Sequence, residues 1–265
     1  MSRPMSLTLP RRIEYARDLL AVLVLKELRV RYKRTVLGYA WSLLQPLAFA
    51  VVYYLVFKMF IRIDTGDIDY SLFLICGLFA WQWFSNGVGT STTALISNAQ
   101  LITKVRFPRV YAVLSGFMND LVHFLLSVPV ILAAVYLLGD GGRLSWLWWL
   151  PILLVIQAVL VLGLALIFSV LTIFLRDLER LVTIGLVMLF HLTPVVYPAS
   201  IIPEGFRWMI YANPMASLAI CWRDAWIKGQ VEMTFLAVAA ASAAAVFVLG
   251  VVLFTRLQSR VAEVV

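Results

Sequence analysis

The sequence predicts an all-α, polytopic membrane protein: six transmembrane helices, an N-terminal interfacial amphipathic helix, and two short re-entrant helices before the last span. Three observations predict it. Of the 265 residues, 63% are hydrophobic and 14% charged, where soluble domains keep about 25% charged. The apolar residues fall in runs long enough for the roughly 20 residues that a helix needs to cross the hydrocarbon core. The basic residues gather on alternate connecting segments, the asymmetry that orients helices in a bilayer. The 9 Trp, 10 Tyr and 16 Phe suit a chain whose rings anchor at both membrane interfaces.

The first element is the amphipathic segment 11–34. Its apolar run Leu19–Leu25 is too short to span, and charges at helical spacing surround it. Such a helix lies in the interface with its basic side chains toward the headgroups. It does not read as a secretory signal, because basic residues continue through Arg34 and no small-residue cleavage site follows an apolar run. Six candidate spans come next, at 39–60, 72–91, 113–138, 146–175, 181–197 and 235–254. The second is the least apolar, thinned by Gln82, Ser85, Asn86 and the Gly87/Gly89 pair, and the fourth is long enough to tilt.

Between the last two spans, residues 198–233 are interrupted by Pro203, Arg207, Asn213–Pro214, Arg223 and Asp224. Neither half is long enough to cross and proline breaks a helix, so two short helices dipping into one face are expected. A count of seven spans would instead move the C-terminus to the other side.

Charge tests the even count. One face collects Arg3, Arg11, Arg12, Arg17, Lys26, Arg29, Arg31, Lys33 and Arg34, the second loop (Lys104, Arg106, Arg109), the fourth loop (Arg176, Arg180) and the tail (Arg256, Arg260). The other face keeps Lys58, Arg62, Arg143, Arg207, Arg223 and Lys228 beside the acidic Asp64, Asp67 and Asp69. Both termini are therefore expected in the cytoplasm. The net charge of +8 is a membrane-topology signal and not a nucleic-acid footprint.

Three cytoplasmic features stand out. Arg31, Lys33 and Arg34 sit just before the first span, where they would anchor the chain to anionic lipid or meet an anionic substrate headgroup. The loop 98–109 holds a short apolar stretch, Leu101, Ile102, Val105 and Phe107, among Lys104, Arg106 and Arg109, and stops at Pro108. An apolar face of that kind needs a protein partner, or else the bilayer. The balanced loop Arg176–Arg180 would be a second contact or a solvated turn.

Several chemistries are missing. No G-x-x-x-x-G-K-[ST] is present, so any ATP is bound by another polypeptide. Nor is there H-E-x-x-H, C-x-x-C or G-x-S-x-G. The two cysteines, Cys76 and Cys221, make neither a disulfide framework nor a metal cluster. Asp64, Asp67 and Asp69 lack the glycine and terminal glutamate of a calcium loop. Neither a metal nor a cofactor is expected in this chain, and no enzymatic activity. Within the third span, Asp120 and His123 are three apart and share a helical face. An intramembrane acid is a functional candidate by default, and a proton relay in a secondary exporter is what these two would serve. A polar clasp between helices would use them equally well.

Four runs resemble one family. RYKRTVLGYAWSLLQP (Arg31–Pro46), LITKVRFPR (Leu101–Arg109), IFLRDLERL (Ile173–Leu181) and TPVVYPASIIPEGFRWMIYANPMASL (Thr193–Leu218) are similar, in order and spacing, to the type-2 ABC exporter permeases of the polysaccharide and polyol-phosphate branch. That family exports O-antigen, capsule and teichoic acid, and the likeness to the O-antigen permeases is strongest. The resemblance implies a homodimer in a bacterial inner membrane with two separate nucleotide-binding subunits that bind ATP and Mg. It implies that 101–108 is the coupling helix, and that the N-terminal helix gates entry with Arg31, Lys33 and Arg34 at the substrate headgroup. The substrate would be a glycan on undecaprenyl pyrophosphate, sliding over aromatics between the protomers. Candidate lining rings are Tyr39, Trp41, Tyr53, Tyr54, Phe57, Trp81, Trp83 and Tyr197.

Overall fold

A computed structural model describes the protein over residues 9–31, 35–104 and 108–260, the side chains of 9–13, 15–16, 30–31 and 104 excepted. Lys33, Arg34, Val105, Arg106 and Phe107 lie outside the described residues, and of Arg31 and Lys104 only the backbone is described. Among the described residues the regular structure is entirely helical.

Eleven α-helices follow one another: α1 (Leu9–Arg31), α2 (Trp41–Tyr53), α3 (Tyr70–Thr92), α4 (Ala94–Ser97), α5 (Ala99–Lys104), α6 (Val110–Leu138), α7 (Trp146–Phe174), α8 (Leu178–Leu192), α9 (Trp208–Ala212), α10 (Pro214–Ile227) and α11 (Met233–Leu257). A short 3-10 turn precedes α2, and a π-turn at Tyr54–Phe60 continues it.

Among the described residues, five helices are long and apolar enough to cross a membrane: Gly38–Phe60, Tyr70–Thr92, Val110–Leu138, Trp146–Phe174 and Met233–Leu257. The stretch 181–197, expected to cross as one helix, does not form one. Its helix α8 begins earlier and has 15 residues, about 22 Å at 1.5 Å per residue, short of the ~30 Å core. Pro194 sets the end. A residue before proline is pushed out of the α region, and Thr193 is extended at φ −96°, ψ 133°. The apolar run continues past the proline as non-helical chain.

α3 is the centre of the bundle. Of its membrane-length window 72% is buried, against 6% for the span containing α2. Protein and not lipid surrounds α3, and that is why the least apolar span tolerates Gln82, Ser85 and Asn86. Asp69 starts the helix by accepting from Ser71 N at 2.8 Å, a side-chain cap for an orphan donor.

α7 and α11 meet glycine against glycine: a Cβ on Gly250 would lie 2.4 Å from Gly163 O. Small residues at such a crossing let backbones touch.

The segment 198–233 holds two short 3-10 turns, α9 and α10. α10 is a core element. It packs against α3, α7 and α11, and Trp222 and Trp226 are fully buried. Their indole N–H groups and that of Trp146 need acceptors there. Trp222 donates to Gln157 Oε1, Gln157 Nε2 to Ala80 O at 2.8 Å, and Trp146 to Ala225 O at 3.0 Å.

At the other end α1 lies against α6. It buries Leu23, leaves Val22 and Leu25 exposed, and Lys26 Nζ donates to Asn98 Oδ1 at 2.7 Å.

Candidate functional site

Two adjoining cavities lie where α2, α3, α6 and α8 meet. The first, about 300 Å³, is lined by Thr35, Trp41, Ser42, Gln45, Phe79, Gln82, Trp83, Asn86, Asp120, His123, Phe124 and Ser127. The second, about 510 Å³, runs between α2, α3 and α8 past Gln45, Tyr53, Trp81, Gln82, Asn86, Thr90, Thr183, Phe190 and His191. Gln45, Gln82 and Asn86 line both, so the two form one polar groove with aromatic walls.

α3 makes this groove because 82, 86 and 90 recur at i, i+4 on one helical face. Gln82 Nε2 donates to Asn86 Oδ1 at 2.9 Å. Thr90 Oγ1 donates to Asp120 Oδ2 at 2.6 Å, and Asn119 Nδ2 to Asp120 Oδ1 at 3.4 Å. A buried carboxylate is tolerable when hydrogen bonds satisfy it. Asp120 and His123 both face the smaller cavity, which extends their shared helical face into a site.

The aromatic candidates divide. Trp41 and Trp83 line the smaller cavity, Tyr53 and Trp81 the larger. Tyr39 lies against the His123 ring at 5.8 Å. Phe190, not anticipated from the sequence, joins Tyr53 at 5.5 Å and Trp81 at 5.3 Å. Phe57 packs on Tyr53 at 6.1 Å without reaching the groove. Tyr54 borders a separate apolar cavity with Leu47, Leu74 and Ile75. Tyr197 donates to His191 O at 2.8 Å, closing the end of α8.

Sequence reasoning did not mark the amides Gln45, Gln82 and Asn86 as site residues. The i, i+4 spacing of Gln82 and Asn86 on α3 was the available signal, and Gln45 on α2 carried none.

In the 98–109 loop, α5 covers Leu101, Ile102 and the Lys104 backbone. Ile102, like Val110, Leu171 and Leu257, packs against the buried cluster that includes Leu95, Val113 and Phe254, and Pro108 is exposed.

Long apolar helices gathered about a polar groove define an integral membrane protein with a hydrophilic interior. The chain belongs to the ABC-2 type transporter family, whose sequence model matches residues 18–224. It is 40% identical over 260 residues to an O-antigen export system permease protein RfbA of Klebsiella pneumoniae, covering 98% of this chain and all of that one. A Myxococcus xanthus protein of the same name is 35% identical over 79% of this chain and 80% of its own. The polysialic acid transport protein KpsM of Escherichia coli is 21% identical over 79% of this chain and 81% of its own.

Proposed function

We propose that this chain is the membrane subunit of an ATP-driven exporter that moves undecaprenyl-pyrophosphate-linked polysaccharide of the O-antigen type across the bacterial inner membrane. The observation that carries this reading is the groove. Carbohydrate presents hydroxyls to amides and a carboxylate and its C–H faces to aromatic rings, and Gln45, Gln82, Asn86 and Asp120 stand beside Trp41, Tyr53, Trp81 and Phe190. Few of these groups are ionised, so a long neutral chain slides through without a deep binding minimum. The named relatives support the polymer class, and the more distant polysialic acid transport protein keeps capsule-type glycan as a variant of the same reading.

In this reading two copies pair with two separate ATPase subunits, which hold ATP and Mg. The N- and C-termini face the cytoplasm. α8 and the extended residues after it complete a sixth crossing, with α9 and α10 forming the re-entrant region. Residues 101–108 dock on the ATPase. Arg31, Lys33 and Arg34 meet the pyrophosphate before the groove, and this chain makes and breaks no bonds.

Co-purification of the mildly solubilised protein from its host tests this. Wild type should retain a P-loop ATPase, and Val105→Asp/Phe107→Asp should lose it while eluting normally on size exclusion. Absence of any ATPase from the wild-type eluate overturns the reading. The placement of Asp120 and His123 in one cavity favours a second reading, proton-coupled export. Loss of transport in Asp120→Asn with ATPase turnover intact is the result that would bring it forward.

A further inference from the structure

Arg223, on α10, is 5% exposed, and among the described residues no carboxylate pairs with it. A buried charge needs compensation, and here backbone carbonyls of α3 and of the extended chain after α8 supply it. Nη2 of Arg223 donates to Pro194 O at 2.9 Å and to Val195 O at 3.0 Å, and Nε donates to Phe73 O at 3.4 Å. The guanidinium carbon lies 3.4 Å above the Phe73 ring centroid. Pro194 and Val195 follow the extended cap Thr193, so the guanidinium is compensated by carbonyl dipoles of the non-helical chain that leaves α8 and of α3.

Other side chains bind the same break. Tyr70 Oη donates to Val196 O at 2.7 Å, and Asn213 Nδ2 to Thr193 Oγ1 at 2.8 Å. Gly77 makes room for the guanidinium: a Cβ there would lie 2.9 Å from Arg223 Nη2 and 3.0 Å from Val195 O.

The rest of α8 is held differently. Among the described residues, the side-chain hydrogen bonds of Thr183 and His191 stay within α8 itself. The larger groove cavity lies along one side of α8. An apolar cavity of about 360 Å³ between Val182, Gly185 and Leu189 and the side chains of Phe84 and Leu164 lies along the other. The chain is fixed just past one end of the helix, and cavities flank the helix on both sides of the core face made by Val182, Leu186 and Phe190.

We propose that Arg223 is a positioning residue that pins the chain leaving the C-terminal end of α8 to α3 and α10. α8 then swings about that point, and Phe190, in the last turn of α8 before the pinned chain, sets the width of the groove against Tyr53 and Trp81. The proposal rests on reading the groove as the export path.

The test uses the whole permease with its ATPase in nanodiscs and two reporters lining the larger cavity, His191→Cys near the clamp and Thr183→Cys two turns away. Labelling by a hydrophilic maleimide is compared in wild type, Arg223→Lys and Gly77→Ala backgrounds. Lysine keeps the charge without the fork, and alanine crowds the guanidinium out. Both should speed labelling at His191→Cys by about threefold or more, the shift expected from losing one membrane-buried hydrogen bond, while Thr183→Cys keeps its rate. The buried Cys76 and Cys221 report unfolding by their own labelling.

If Arg223→Lys exposes them, Gly77→Ala decides, and exposure in both variants reduces Arg223 to a fold residue and overturns the proposal. An unchanged rate at His191→Cys, or an equal rise at both reporters, overturns it too. Faster labelling at His191→Cys alone with export unaffected keeps the clamp and removes the export path from the groove. Lost export with unchanged labelling does the reverse.

Discussion

Gln157 is a single amide that three helices depend on. It is fully buried in α7, accepts from Trp222 of α10 and donates to Ala80 O of α3. Leucine at this position keeps the volume but leaves the Trp222 N–H without an acceptor. The unsatisfied donor costs about 1–3 kcal/mol, with membrane bundles at the low end. Gln157→Leu is therefore expected to lower the thermal unfolding midpoint in detergent, and Gln157→Glu less so, because the acceptor to Trp222 persists. The groove amides follow the opposite rule. Gln82 and Asn86 bond to each other and face a cavity, and replacing both partners of a hydrogen bond by apolar groups is nearly neutral for stability. Gln82→Leu/Asn86→Leu should leave the unfolding midpoint at the wild-type value and abolish surface display of polymer in a complementation assay. A large loss of stability would show that these amides serve the fold and not the path.

At the scale of elements, sequence and structure agree where a long apolar run is also a helix and part where it is not. Spans 113–138 and 146–175 end within a few residues of α6 and α7, because length and composition there leave no other packing. The stretch 181–197 is as apolar as those, yet Pro194 divides it, and hydropathy averages over a proline without registering it. The burial of α10 was obscured for a related reason. Arg223 and Asp224 read as interruptions of an apolar stretch, although Arg223 has its acceptors on α3 and on the chain after α8, far away in sequence. Trp41, Tyr53, Trp81 and Trp83 were legible as lining candidates from residue type alone. Gln82 and Asn86 read instead as a defect in an apolar face, since sequence does not say that α3 is enclosed by other helices.

Packing of elements also yields a test at the α7–α11 crossing. A Cβ at Gly250 meets backbone, Gly163 O at 2.4 Å, and backbone cannot rotate away. Gly250→Ala is expected to destabilise by about 1–3 kcal/mol, read as a fall in unfolding midpoint, whereas Gly185→Ala, with nothing within 4 Å, should leave it unchanged or raise it.

The whole molecule presents two kinds of outer surface, and they demand different neighbours. α11 exposes Val248, Leu249, Val251 and Val252, an apolar face that lipid satisfies. The α2–α8 side exposes Leu44, Phe49, Val52, Ile184 and Val187 as well, but it also opens the larger cavity, with Gln45, Thr183 and His191 at its wall. Polar side chains at membrane depth face protein or a water-filled space and not acyl chains. A second copy brought against α2 and α8 would close the groove into a channel between protomers and cover its polar wall on both sides at once. A closed two-fold pair places the same residue of each copy near the axis, so one cysteine suffices as a probe. Val187→Cys on α8 is expected to give a disulfide-linked dimer on mild oxidation in native membranes. Val248→Cys on α11, which is as exposed as Val187 (61% against 58%), should stay monomeric under the same treatment. Equal exposure removes reactivity as the explanation, so the contrast reports which face meets the partner. Cross-linking at Val248→Cys alone would place the partner on the wrong side of the bundle, leave the polar groove facing lipid, and rule out a path shared between two copies.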